Sequence, residues 1–102
     1  MIRKIIEIDV TTVLKNNRIV KGVKLIKLYD NFIQIKTTKI KYNQIFVARL
    51  HGIGIISFEY IKQNGYYNKY VIKGTDYVTY RILEQIKDMN VIYLMDEVLD
   101  QE

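Results

Sequence analysis

His51, Ser57 and the carboxylate pair Asp96-Glu97 are the residues in this chain whose types invite a search for chemistry. His51 is the single histidine, and cysteine is absent. A zinc site takes three or four ligands from His, Cys or carboxylates, so no such set assembles around it. A histidine working as a general base needs an orienting partner and a nucleophile. Ser57, the single serine, sits inside an apolar strand pattern. The segment His51-Gly52-Ile53-Gly54 contains a G-x-G, but no third glycine follows and the next residues read as a strand. It is no dinucleotide fingerprint, and no G-x-x-x-x-G-K-[ST] phosphate loop occurs. Asp96 and Glu97 fall in an acidic tail without perturbing partners. The expectation is a protein with no catalytic residue, no metal and no cofactor, and hence not an enzyme.

Binding chemistry is better represented. Seven of the nine tyrosines, Tyr60, Tyr66, Tyr67, Tyr70, Tyr77, Tyr80 and Tyr93, lie in the second half. Tyrosine buries a large area at low entropy cost and keeps a hydroxyl for a partner, which suits a protein-binding surface. The expected site is a groove lined by Arg49, His51, Tyr60, Tyr66, Tyr67 and Tyr70. It would hold a protein or peptide, with an exposed strand edge as template for an added strand. The competing site is basic. Lys21, Lys24, Lys27, Lys36, Lys39 and Lys41 fall mostly at outward positions, with Tyr29 and Tyr42 between them. Lysines neutralise phosphates and rings stack on bases, which points to nucleic acid or anionic lipid. Only four arginines are present, so base reading by bidentate contacts is poorly supplied.

These residues must be carried by one small domain. The 102 residues suffice for a single core, and 49% hydrophobic with 26% charged residues excludes a disordered chain. No apolar run reaches the ~20 residues of a membrane-spanning helix, and no signal-peptide h-region is read at the N-terminus. Charge is uneven. Residues 1–50 carry 11 Lys or Arg against 3 acids, and residues 51–102 carry 5 against 8. Such a dipolar molecule favours steering of charged partners or head-to-tail self-association, so a homo-oligomer is compatible with it.

An offset of 47, slipping to 46, aligns the halves: Ile6 with Ile53, Leu14 with Ile61, Lys27 with Lys73, Asp30 with Asp76. This predicts an internal repeat, 1–50 and 51–102, within a single domain 1–102. Each copy opens on a long β-hairpin. In the first, Ile6, Ile8 and Val10 alternate with polar residues, Lys15-Asn16-Asn17 turns, and the chain returns through Ile19 to Leu28 with a bulge at Leu25-Ile26. In the second, strands over 53–61 and 66–73 flank the Asn64-Gly65 turn. A helix follows over 76–89, capped by Thr75 or Asp76 and burying Val78, Ile82, Ile86 and Met89. Asn90 is its predicted stop. The apolar run Val91–Met95 and the acidic residues after it read as a strand and frayed end, or as a short helix. Residues 31–43 read two ways. The repeat asks for a helix, whereas Phe32, Ile33, Ile35, Thr37, Thr38 and Ile40 favour a strand pair turning at Thr37-Thr38. The predicted class is α+β, two similar hairpin-led motifs packed into one small domain.

The doubled layout, the length and the Ile-, Lys-, Tyr- and Asn-heavy composition resemble the small orphan proteins of filamentous viruses that infect hyperthermophilic archaea. That resemblance implies two similar motifs packed together, no enzymatic role, protein–protein interaction in the groove between the motifs, and a place in the host cytoplasm or virion. The Asn64-Gly65 pair and the lack of proline depart from a hyperthermophilic pattern. Residues 23–50, VKLIKLYDNFIQIKTTKIKYNQIFVARL, are also similar to the strand pattern of pleckstrin-homology-like domains, ending in an I-x-Y-x-x-I turn at Ile40, Tyr42 and Ile45. This second resemblance implies a seven-strand barrel closed by the helix, with anionic lipid or peptide on the basic half. The chain departs from it in lacking a basic loop cluster between its first strands beyond Lys15 and Arg18.

Overall fold

The computed structural model describes residues 3–52, 54–62, 64–86 and 91–93. The class is α+β, with two sheets packed over a shared core and a helix beside them. The first sheet takes β1 (Lys4–Asp9), β4 (Leu25–Tyr29), β5 (Phe32–Ile35) and β6 (Thr38–Lys41), in the order β1-β4-β5-β6 and antiparallel throughout. The second takes β2 (Thr12–Lys15), β3 (Arg18–Ile19), β7 (Ile45–Gly52), β8 (Ile55–Ile61), β9 (Tyr67–Lys73) and β10 (Val91–Tyr93). Its order is β10-β7-β8-β9-β2-β3, and β10 lies parallel to β7.

The first hairpin exists, but it is bent across both sheets. β1 pairs with β4 in one sheet and β2 with β3 in the other. At the tip, Lys15 pairs with Arg18 around Asn16 and Asn17, both at positive φ (51° and 69°). This is the two-residue primed turn that asparagine tolerates better than most residues. Between the bonds Val20 N–H to Val13 O and Val10 N–H to Lys24 O, the returning arm holds one residue more than the outgoing arm. The extra residue therefore lies among Lys21, Gly22 and Val23, not at Leu25-Ile26 as the alternation suggested. Gly22 stands there at φ 79°.

The second hairpin pairs Ile55–Ile61 with Tyr67–Lys73 in continuous register. Its loop is longer than the two residues expected of Asn-Gly. Lys62 N–H donates to Tyr66 O and Gly65 N–H to Lys62 O, with Gly65 at φ 85°. This matches a turn closed by a left-handed glycine.

Residues 31–43 form strands, not the helix required by the repeat. β5 and β6 turn at Lys36-Thr37, one residue before the expected place, and the 3-10 turn Tyr42–Gln44 follows. Phe32, Ile33, Ile35 and Ile40 bury themselves as strand residues, and β-branching at five positions, Ile33, Ile35, Thr37, Thr38 and Ile40, makes a helix costly. The two halves therefore differ here, since the counterpart segment is helix α1 (Asp76–Ile86). Helix α1 buries Val78, Thr79, Ile82 and Ile86. Met89, Asn90 and the residues after Tyr93 lie outside the described residues.

Alternation then sorts the side chains. Ile8, Ile26, Leu28, Ile33, Ile35 and Ile40 of the first sheet meet Ala48, Leu50, Ile56, Phe58, Tyr60, Tyr70 and Ile72 of the second. Among the described residues no helix is long and apolar enough to cross a membrane.

Candidate functional site

The expected tyrosine groove is divided between the two faces of the second sheet. Tyr60 and Tyr70 point into the core and are each 2% exposed. Their rings stack on one another at 6.0 Å. Arg49, His51 and Tyr67 stand on the opposite face, and Tyr66, 70% exposed, lies at the hairpin end. The six residues do not line one groove.

On that opposite face Arg49 and Tyr67 both donate to the Glu59 carboxylate. Burial would raise the Glu59 carboxyl, but the Tyr67 hydroxyl, the Arg49 guanidinium and the Lys69 charge outweigh it and hold it below its ordinary value. The same bond raises the Tyr67 phenol. His51 Nε2 lies 2.7 Å from Ser57 Oγ. Burial, then Lys69 and Arg49, lowers the imidazole pKa. A His–Ser contact is the pairing expected of an activated nucleophile, yet no carboxylate orients His51 among the described residues. This cluster satisfies itself and offers little to a partner.

The six lysines are gathered differently. On the outer face of the first sheet, the register sets Glu7, Lys27, Gln34 and Lys39 in one row across β1, β4, β5 and β6. Strands lie about 4.8 Å apart, so Lys27 and Lys39 are roughly 10 Å from each other along the row. Beside it, Gly22, Val23, Lys24, Leu25, Lys27, Gln34 and Lys36 line a pocket of about 340 Å³, with no carboxylate among these described residues. The bulged arm places Lys24 there. The β5–β6 turn places Lys36, held at φ 54° while its Nζ donates to Lys21 O at 2.7 Å. Lys41 extends the face along the exposed edge, and Tyr29 stacks on Phe32 at 4.3 Å beside it. Lys39 Nζ sits 5.5 Å over the Phe32 ring. Lys21 is exposed next to the pocket and contributes its carbonyl to Lys36. Of the carboxylates in the first sheet's own strands, Glu7 and Asp9 are confined to β1, at the far edge from Lys39.

The β6 edge is blunted as a template for an added strand. The Lys41 N–H is taken by Gln44 Oε1 at 3.0 Å. Past that edge, where the first sheet meets the β8–β9 hairpin, lies a second cleft of about 390 Å³. Thr38, Lys39, Gln44, Tyr60, Lys62 and Asn64 line it. The alternation that identified outward lysines gave no sign of Gln44, Lys62 or Asn64, because tertiary contact alone brings them to β6.

No family model, curated protein or solved structure matches this chain. No cluster of three potential metal ligands occurs among the described residues.

Proposed function

We propose that the protein is a non-enzymatic binding module for a linear polyanion, a single-stranded nucleic acid, held on the outer face of the four-stranded sheet. The observation that carries this reading is the convergence of Lys24, Lys27 and Lys36 on one pocket with no carboxylate among its described lining residues, continued by the row from Lys27 to Lys39. Like charges this close repel in the free protein, and an anion crossing them relieves that repulsion while releasing its own counterions. A row across strands suits a chain of phosphates better than a bilayer surface. Tyr29 supplies a ring beside the row for base stacking, which tolerates any sequence. Lysine, a flexible point charge, fits the same tolerance. The net charge of +5 helps encounter.

The test is fluorescence anisotropy of a labelled single-stranded oligonucleotide, run beside sedimentation with phosphatidylserine vesicles and titration with a Glu-rich peptide. The oligonucleotide is expected to bind best, and the triple change Lys24→Gln, Lys27→Gln, Lys36→Gln to weaken it at least tenfold. Vesicles or the peptide binding more tightly, or the triple variant binding unchanged, would overturn the reading.

A further inference from the structure

The cleft past the β6 edge has an unusual donor inventory. Tyr60 lines it, and the Tyr60 hydroxyl is buried with no hydrogen-bond partner among the described residues. An unsatisfied buried hydroxyl costs free energy, and native proteins keep few of them. Burial first, then Tyr70, pushes the Tyr60 phenol up to about 12, so it remains a proton donor at neutral pH. Both amides of the cleft have their oxygens engaged. Gln44 Oε1 accepts from Lys41 N–H at 3.0 Å, and Asn64 Oδ1 from Tyr66 N–H at 3.1 Å. What each amide has left to offer is its NH₂ group. Lys39 and Lys62 add ammonium groups, and no carboxylate takes part among the described residues. Apart from the hydroxyl of Thr38, which can also accept, the side chains of the cleft among the described residues lead with donors, and the complement of a donor-rich cleft is an acceptor-rich anion.

From this juxtaposition we infer that the cleft receives a phosphomonoester, the terminal phosphate of the bound strand. The inference rests on the polyanion reading above, because Lys39 belongs both to the row and to the cleft and so joins a strand's path to its end. A phosphomonoester offers three strong acceptor oxygens and nearly two negative charges. A carboxylate, with two oxygens and one charge, meets fewer of the five side chains that lead with donors here, Lys39, Gln44, Tyr60, Lys62 and Asn64, than a phosphomonoester does. An internal phosphodiester carries a single charge and belongs to the row instead.

The experiment compares internally labelled oligonucleotides of one sequence with a 5′-phosphate, a 3′-phosphate or hydroxyls at both ends, by anisotropy. One phosphorylated end is expected to raise affinity about tenfold over the hydroxyl form, in line with charge-assisted hydrogen bonds. Tyr60→Phe removes one oxygen whose bond is unmade in the free protein, so the variant is expected to fold with undiminished stability. It is expected to lose most of the end preference while binding the hydroxyl oligonucleotide as before. Equal affinity for all three ends, or a preference that survives Tyr60→Phe, overturns the cleft assignment and leaves the row standing. If none of the oligonucleotides binds, the polyanion reading fails, and inorganic phosphate decides the cleft by itself. Side-chain amide signals of Gln44 and Asn64 in a ¹⁵N correlation spectrum are expected to shift with phosphate in the wild type and not in Tyr60→Phe. Unmoved signals in the wild type overturn the assignment. Shifts with phosphate, but without any preference for a phosphorylated end, would identify a free phosphate as the ligand and overturn the strand-end source.

Discussion

Gly54 and Gly65 both stand at positive φ, 76° and 85°, and replacing each by alanine separates backbone strain from steric clash. At Gly65 an added Cβ meets nothing within 4 Å. The change there costs the left-handed conformation alone, about 1 kcal/mol. At Gly54 the Cβ would lie 2.1 Å from the Gly74 carbonyl oxygen. That oxygen is backbone and cannot swing aside. The two segments are also tied by the bond from Gly74 N–H to Gly54 O at 2.8 Å. Relief of the clash must separate the start of β8 from the end of β9 and break that bond. A lost bond with a partly desolvated partner adds about 1–3 kcal/mol to the conformational cost. Gly54→Ala is therefore expected to lose about 2–4 kcal/mol and Gly65→Ala about 1 kcal/mol. Urea unfolding followed by far-ultraviolet circular dichroism and tyrosine fluorescence reads both. Equal losses at the two sites, or a loss at Gly54 near 1 kcal/mol, would refute the close approach of Gly54 to Gly74.

Asn16→Ala removes both the left-handed preference and two side-chain bonds, to Asn68 at 2.9 Å and from Lys69 N–H at 2.8 Å. It is expected to cost about 2–3 kcal/mol in the same urea assay, more than Asn17→Ala at the next turn position. His51 is held below its ordinary pKa, so the unfolded chain takes up a proton that the folded one does not. Stability is then complete above about pH 6.5 and falls as pH drops below it. The melting temperature of His51→Gln should show a shallower fall between pH 7.5 and pH 5 than that of wild type. Glu59 is also depressed, and its contribution is present above about pH 4.3 and lost as pH falls through its folded value. Glu59→Gln should thus be destabilising at pH 7 and nearly neutral near pH 2 in thermal melts.

Legibility in the sequence followed the range of the interactions. Strand alternation located both hairpins and most core residues, because burial on one face of a pleated strand is a local, period-two property. The asparagine turn and the helix were equally local, resting on αL tolerance at Asn16-Asn17 and on the spacing of Val78, Ile82 and Ile86. The bulge was displaced because Ile19 and Leu25 belong to different sheets, and the change of partner mimics a slip within one strand. Over 31–43 the repeat asked for a helix, and β-branched residues with an open strand edge decided otherwise. At the site, alternation placed the lysines outward but could not group them. Tyr60 and Tyr70 entered the expected groove because their parity relative to Arg49 and His51 depends on pairing across β7, β8 and β9. Gln44, Lys62 and Asn64 left no local trace at all.

The salt dependence of oligonucleotide affinity tests the lysine row most directly. Each phosphate neutralised on a single strand adds about 0.7 to the slope of log K against log salt. Five lysines, Lys24, Lys27, Lys36, Lys39 and Lys41, predict a slope of about −3.5 for the wild type. Changing Lys24, Lys27 and Lys36 to Gln together should flatten it to about −1.5. A wild-type slope near zero, or an unchanged slope in the triple variant, would contradict the account.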